Sequence, residues 1–239
     1  FRSPSPFEAL VEGFDDEGRG VARVAGKVVF IEGALPGERV VARYTRTRGR
    51  YDEARSVEIL EPHPQRVQPL CPHHAVCGGC VVQHLEHPGQ VGLKAERLFD
   101  NLTRIAKVEP EEILQPIVGE PWGYRKRARL AIKVSKKKRG GTSVGFRHRS
   151  NHTVADIRGC DVLDPRVGAH IGDIREAAQK FSPRAGIEQL EVSLGGVGGT
   201  LTAHHGGVLS DRDWATLLAL GEQLKVGVNL RSTSSGAVA

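Results

Sequence analysis

The chain has no methionine, and only two tryptophans, three tyrosines and four cysteines in 239 residues. With methionine missing even at position 1, a chain trimmed at its start is expected. No apolar run approaches the roughly 20 residues that span a bilayer, so no membrane partner is expected. Phe1 to Pro6 carries no apolar signal-peptide core. A reducing cytoplasm is therefore the expected setting, and disulfides are the weaker reading of the cysteines. Acids are missing from one stretch: between Gly123 and Arg149 there are eleven Lys and Arg and no Asp or Glu. Elsewhere 23 basic residues face 28 acidic ones, so the net +6 is a basic stretch set in a remainder of −5. Charge gathered this way points to a polyanion, because a merely solvated face usually mixes signs.

The composition, 39% hydrophobic and 26% charged, is that of a globular protein long enough for two ordinary domains. The expected fold class is multidomain, β followed by α+β. Residues 7–62 hold five short runs, FEALVEGF, GVARV, GKVVFIEG, ERVVARYT and EARSVEIL, punctuated by Gly and Pro turns. They predict a five-stranded, antiparallel, OB-like barrel. Residues 63–70, rich in proline, read as a linker into an α+β domain over 71–239.

In that second region, Val91, Ala95, Leu98, Phe99, Leu102 and Ile105 predict a helix that packs through one face. Arg127 to Val134 alternates as a strand, apolar on one side and basic on the other. TSVGFRHR and HTVADI return as further strands, and Asp164–Pro165 opens a helix running to Phe181. IEQLEVSL and TLTAHH make a hairpin about GGVGG, Ser210 and Asp213 cap another helix, and VGVNL is a last strand. GGVGG lacks the strand-to-helix setting of a nucleotide loop. The end, RSTSSGAVA, stops without a helix or cap, so truncation at the C-terminus is expected.

CPHHAVCGGCVVQH brings Cys71, Cys77 and Cys80 into ten positions, and Cys160, in DIRGCDVLDP, is the only other cysteine. Four thiolates and no remainder fit a [4Fe–4S] cluster, the glycines letting backbone wrap an inorganic core. Tetrahedral zinc would take the same sulfurs, although structural zinc sites more often show two close pairs. The histidines of the stretch read as surface or supporting groups rather than ligands.

Arg125, Arg127 and Arg129 project from one face of the predicted strand, about 6.6 Å apart on ordinary strand geometry, a spacing suited to successive phosphates or to stacking on bases. Lys136, Lys137, Lys138 and Arg139 add point charges in the following loop, and Phe146 with Arg147 offers a stacking ring beside a cation. Arg43, Tyr44, Arg46, Arg48 and Arg50 form a weaker second surface on the barrel. The expected partner is structured RNA rather than DNA, and the oligomeric state is left open.

CPHHAVCGGCVVQH, GYRKRARL and GFRHRSNHTVADIRGCDVLDP, in this order, resemble the iron–sulfur-containing 23S rRNA uracil-5-methyltransferases. GRGVARVAGKVVFIEGALPGERV is similar to the TRAM domain of one branch of that family, and the resemblance covers roughly residues 7 to 230. It implies that Cys71, Cys77, Cys80 and Cys160 bind a [4Fe–4S] cluster, while both domains hold 23S rRNA so that a uridine reaches an active site. The family continues into a domain that binds S-adenosylmethionine and carries a nucleophilic cysteine. Nothing in the sequence supplies that domain, so this chain alone is expected to bind RNA without methylating it. Radical methylthiotransferases also join a TRAM domain to a cluster, but their motif is Cys-x3-Cys-x2-Cys with one iron open, against x5 and a fourth cysteine here.

Overall fold

Alternation along the chain sets the first five strands. In a computed structural model that describes residues 5–134, 141–151 and 153–233, β1 (Phe7–Phe14), β2 (Arg19–Val24), β3 (Lys27–Glu32), β4 (Arg39–Thr47) and β5 (Tyr51–Glu61) close into a barrel in the order β1-β2-β3-β5-β4. Val11, Ala22, Val29, Ile31, Val40 and Ala42 fill it, each flanked by residues that point outward. The one departure from expectation is direction. β3 and β5 pair in parallel, Val28 opposite Tyr51 and Ile31 opposite Ala54. A closed ring of five strands cannot alternate direction all the way round, so one neighbouring pair must run the same way.

The chain divides into two units that are not a single cut along the sequence. One joins Phe1–Leu70 to Val81–Val118; the other joins Cys71–Cys80 to Gly119–Ala239. In the first, α1 (His87–Asp100) starts with Pro88 in its first turn, where a missing N–H costs nothing. It runs into a wider π-type turn over Asn101–Ala106 that ends at Lys107 in the left-handed region. The predicted packing face is only partly covered: α1 has no fully buried residue, Val91, Ala95, Phe99 and Leu102 are half-buried, and Leu98 and Ile105 are more than half exposed. Polar contacts on the helix include a long-range pair, Arg97 to Asp16 at 2.7 Å, and a local one, Gln90 Nε2 donating to Leu85 O at 2.8 Å.

In the second unit, β6 (Arg127–Val134), β7 (Thr142–Gly145), β8 (Ile187–Leu194), β9 (Gly199–His205) and β10 (Gly227–Ser232) make a sheet ordered β10-β9-β8-β6-β7. Leu130, Ile132, Leu190, Val192, Leu201 and Ala203 face one side. There they meet Ile171, Ile174 and Ala178 of α3 (Ile171–Lys180) and Leu217, Leu220 and Leu224 of α4 (Asp211–Leu224). The alternate residues of the same strands therefore lie on the opposite, polar face. α4 begins with the expected capping box of Ser210 and Asp213. Two expectations are corrected. The helix opened by Asp164–Pro165 is broken into α2 (Pro165–Gly168) and α3. Residues 153–157 make no strand of their own, His152 lying outside the described residues; Ala155 N donates to Phe146 O and Ile157 N to Val144 O, so this part of HTVADI runs beside β7 as a partly bonded segment. Among the described residues no helix is long and apolar enough to cross a membrane.

Candidate metal centre and nucleic-acid interface

The loop Cys71–Cys80 is folded by its own backbone and then fastened down. His74 N donates to Cys71 O at 3.1 Å and Cys77 N to His73 O at 2.8 Å, closing short turns. Gly78 N donates to Arg147 O and Arg149 N to Val76 O, both at 2.9 Å. Arg149 Nη2 also donates to Cys80 O, and Arg158 N donates to His73 Nε2 at 3.1 Å. Glycine is needed at 78, since a Cβ there would lie 2.9 Å from Arg147 O.

Cys160 reaches the same region from the other end of the segment. Its N–H donates to Gly168 O at 3.1 Å, and a Cβ on Gly168 would stand 2.2 Å from Cys160 O. α2 therefore passes the cysteine turn with bare backbone at Gly168. Arg125 N donates to Val162 O and Asp164 N to Arg125 O, both at 3.0 Å, which ties the turn to the start of the basic strand.

No disulfide joins the four cysteines, and all four are half-buried. They sense one another: Cys71 interacts electrostatically with Cys80, Cys77 with Cys80, Cys160 and Cys71, and Cys160 with Cys80 and Cys71. Burial pushes the thiols of Cys71, Cys77 and Cys160 up, and the neighbouring sulfurs add to that rise. Backbone N–H groups oppose it. His73 and His74 donate to Cys71, Gly79 to Cys77 at 3.4 Å, and Val162 and Leu163 to Cys160. Among the described residues no three His, Cys, Asp or Glu side chains are gathered in the manner of a site for a metal ion.

The basic residues separate into three groups. Arg127 and Arg129 lie on the polar face of β6, paired to Glu191 of β8. Arg125 lies over the ring of Phe146 at 5.7 Å and donates from Nε to Arg127 O at 3.3 Å. Phe146 packs against the apolar core together with Cys77 and Cys160, and Gly79 stands at its ring. Arg147 flanks it, its carbonyl holding Gly78. Lys136, Lys137, Lys138 and Arg139 lie outside the described residues. On the barrel, Tyr44 stacks on Phe7 at 4.2 Å; the outward aromatic pair is instead Phe30 and Tyr51, with Arg19 and Arg48 over their rings. Sequence reasoning did not find Glu191 or His204. The alternation of IEQLEVSL puts Glu191 opposite the apolar face, but only the register, Arg129 against Glu191, brings the acid to the arginines.

Comparison with known proteins bears on this geometry. Residues 5–57 match the TRAM domain. The 23S rRNA (uracil(1939)-C(5))-methyltransferase RlmD of Alkalilimnicola ehrlichii is 45% identical over 196 residues, 82% of this chain and 44% of the relative. The protein of the same description from Nitrosococcus oceani is 42% identical over 230 residues, 96% of this chain and 51% of the relative. In solved structures, the fold is like that of Pyrococcus abyssi tRNA (uracil-54, C5)-methyltransferase in complex with S-adenosyl-L-homocysteine. The TM-score is 0.61 at 18% identity, covering 97% of this chain and 52% of the other. The chain thus carries a TRAM domain and is homologous to the RlmD 23S rRNA uracil-C5-methyltransferases, spanning about half the length of the curated relatives it matches.

Proposed function

We propose that this chain is the RNA-binding, cluster-carrying portion of an S-adenosylmethionine-dependent 23S rRNA uridine C5-methyltransferase. In this reading it holds the rRNA and presents a uridine to a catalytic domain outside the chain. The observation that carries it is the electrostatic interaction of the half-buried thiols of Cys71, Cys77, Cys80 and Cys160 with one another, three of them receiving backbone N–H groups.

That donor set fits a [4Fe–4S] cluster. Burial disfavours thiolates, and the two things that offset it are donated N–H groups and positive charge from a metal core. The first are in place on three of the four sulfurs. When bound, the cluster supplies a covalent tie between a loop at 71–80 and a turn at 160, and so fixes the ends of the segment that carries the basic strand. If the cluster takes all four cysteines, none remains in the sequence to attack a uracil. The chain by itself then binds RNA and transfers no methyl group.

RNA is held on the polar face of β6 by Arg127 and Arg129, with Arg125 beside them. Lys136, Lys137, Lys138 and Arg139, which follow β6 in the sequence, add further positive charge to the phosphate-binding set, and Phe146 and Arg147 lie at the cysteine end of the described surface. These contacts position the backbone without reading sequence. Four thiols with no disulfide among them suit a reducing cytoplasm.

Anaerobic purification, or reconstitution with iron and sulfide, tests the reading. The expected product is brown and holds about four irons and four acid-labile sulfides per chain. A colourless protein with stoichiometric zinc and no sulfide would replace it by a zinc-dependent RNA-binding module.

A further inference from the structure

Strand β8 sets a single acid, Glu191, into the basic face. It stands directly between Arg129 of β6 and Thr202 of β9. Its side chain is only 10% exposed, against 67% for Arg127 and 58% for Arg129. Arg127 donates to Oε1 from Nε at 2.8 Å and from Nη2 at 2.6 Å, and Arg129 donates to Oε2 from Nε at 2.8 Å. His204 Nε2 lies 3.5 Å from the same Oε2 and closes the base of the cluster.

This arrangement does two opposite things to a binding surface. The carboxylate cancels one of the two positive charges. It also grips both guanidiniums by their inner edges, while the side chains that carry them remain largely in solvent. An unrestrained arginine loses rotamer freedom when it takes a phosphate, and that loss weakens binding. Here the loss is largely taken on folding, and two planar donors are held side by side.

We propose that Glu191 is a positioning residue that turns Arg127 and Arg129 into one preorganised fork for a backbone phosphate of RNA. This rests on the RNA-binding reading above and adds a direction that charge alone does not give. Counting charges, loss of Glu191 makes the face more positive and tightens binding. With the fork, its loss weakens binding.

The experiment is a salt titration of a labelled stem–loop oligoribonucleotide against the full chain and its variants. E191Q is expected to bind about tenfold more weakly, the cost of ordering two loosened arginines. The slope of log K against log salt is expected to stay the same, since both cations are kept. R127K/R129K keeps the charges but not the planar forks, and is expected to reproduce that loss. Adding E191Q to R127K/R129K is expected to cost nothing more, because the acid acts only through the two side chains. Tighter or unchanged binding by E191Q overturns the fork, and so does an undiminished loss in the R127K/R129K background. If instead neither E191Q, R127K/R129K nor the charge-removing R127A/R129A changes affinity or slope, the RNA surface lies elsewhere and the reading above falls as well.

Discussion

The barrel and the sheet each contain a buried carboxylate paired with arginine, and the two pairs are built for opposite ends. In the barrel unit, Glu38 is fully buried and its oxygens accept from Leu35 N at 2.8 Å, His63 N at 3.0 Å and Arg66 Nη2 at 2.7 Å. Arg66 is itself only 20% exposed and spends a further N–H on Gly33 O. Every strong donor and acceptor is turned inward, and the pair locks the segment after β5 onto the turn between β3 and β4. Around Glu191 the acid is also buried, though less completely, and its arginines stay in solvent. A carboxylate–arginine contact is therefore not structural or functional by its chemistry. What decides is where the remaining guanidinium edge points.

The largest effect that sharpens this contrast separates the units altogether. The second unit contains both tryptophans, Trp122 and Trp214, while Tyr44 and Tyr51 lie in the barrel. Tryptophan fluorescence therefore follows one unit and tyrosine bands in near-ultraviolet dichroism largely follow the other. Cys160→Ser is expected to lower iron content and to shift the tryptophan transition to much lower temperature, since metal binding coupled to folding is on the order of 10 kcal/mol. The tyrosine transition is expected to move little. Full iron content with an unchanged tryptophan melt would remove Cys160 from the centre.

Glu38→Gln is the mirror experiment. It leaves Arg66 charged, largely buried and short of its partner, a loss of about 3–5 kcal/mol. Urea unfolding followed through the barrel tyrosines is expected to show it, with the tryptophan transition and RNA affinity nearly unchanged. A loss below about 1 kcal/mol would place this pair with ordinary surface ion pairs and dissolve the contrast.

Much of the barrel can be read from the sequence, because alternation of Val, Ile and Ala with polar residues, cut by Gly and Pro, is a local signal. The parallel β3–β5 pair is not local; it follows from closing the ring, which no window of sequence contains. The cysteine set is legible by count, yet the reason for its approach is not: Gly168 looks like any helix glycine until Cys160 O is found 2.2 Å from where its Cβ would be. The apolar stripe of α1 illustrates the reverse error. Leu98 and Ile105 have the right period and little cover, since periodicity states which residues share a face but not whether anything meets it. Glu191 was missed for want of register. A shift by one residue would point it into the core, and only strand pairing fixes that choice.

The smallest effect concerns a third carboxylate, which shows the inward-turned pattern without any arginine. Asp213 is fully buried, and burial alone would raise its pKa. Ser210 Oγ and N donate to it at 2.6 and 2.8 Å, and Ser182 N and Oγ at 2.6 and 2.8 Å, and together they bring it down to about 2. A carboxyl whose folded value lies below its unfolded one stabilises the fold fully above the unfolded value, near 4, and loses that contribution as pH falls toward 2. The start of α4 and the turn at Ser182 are thus held by an ionised group. Asp213→Asn keeps the shape, removes the charge and places an amide N–H₂ against donors. It is expected to cost about 2 kcal/mol at neutral pH and to flatten the loss of stability between about pH 4 and pH 2. Tryptophan fluorescence, with Trp214 at the start of α4, follows both changes. A variant whose acid unfolding runs parallel to that of the parent would mean that the serine hydroxyls do not hold this carboxylate ionised, and that arginine is after all needed to keep a buried acid charged in this fold.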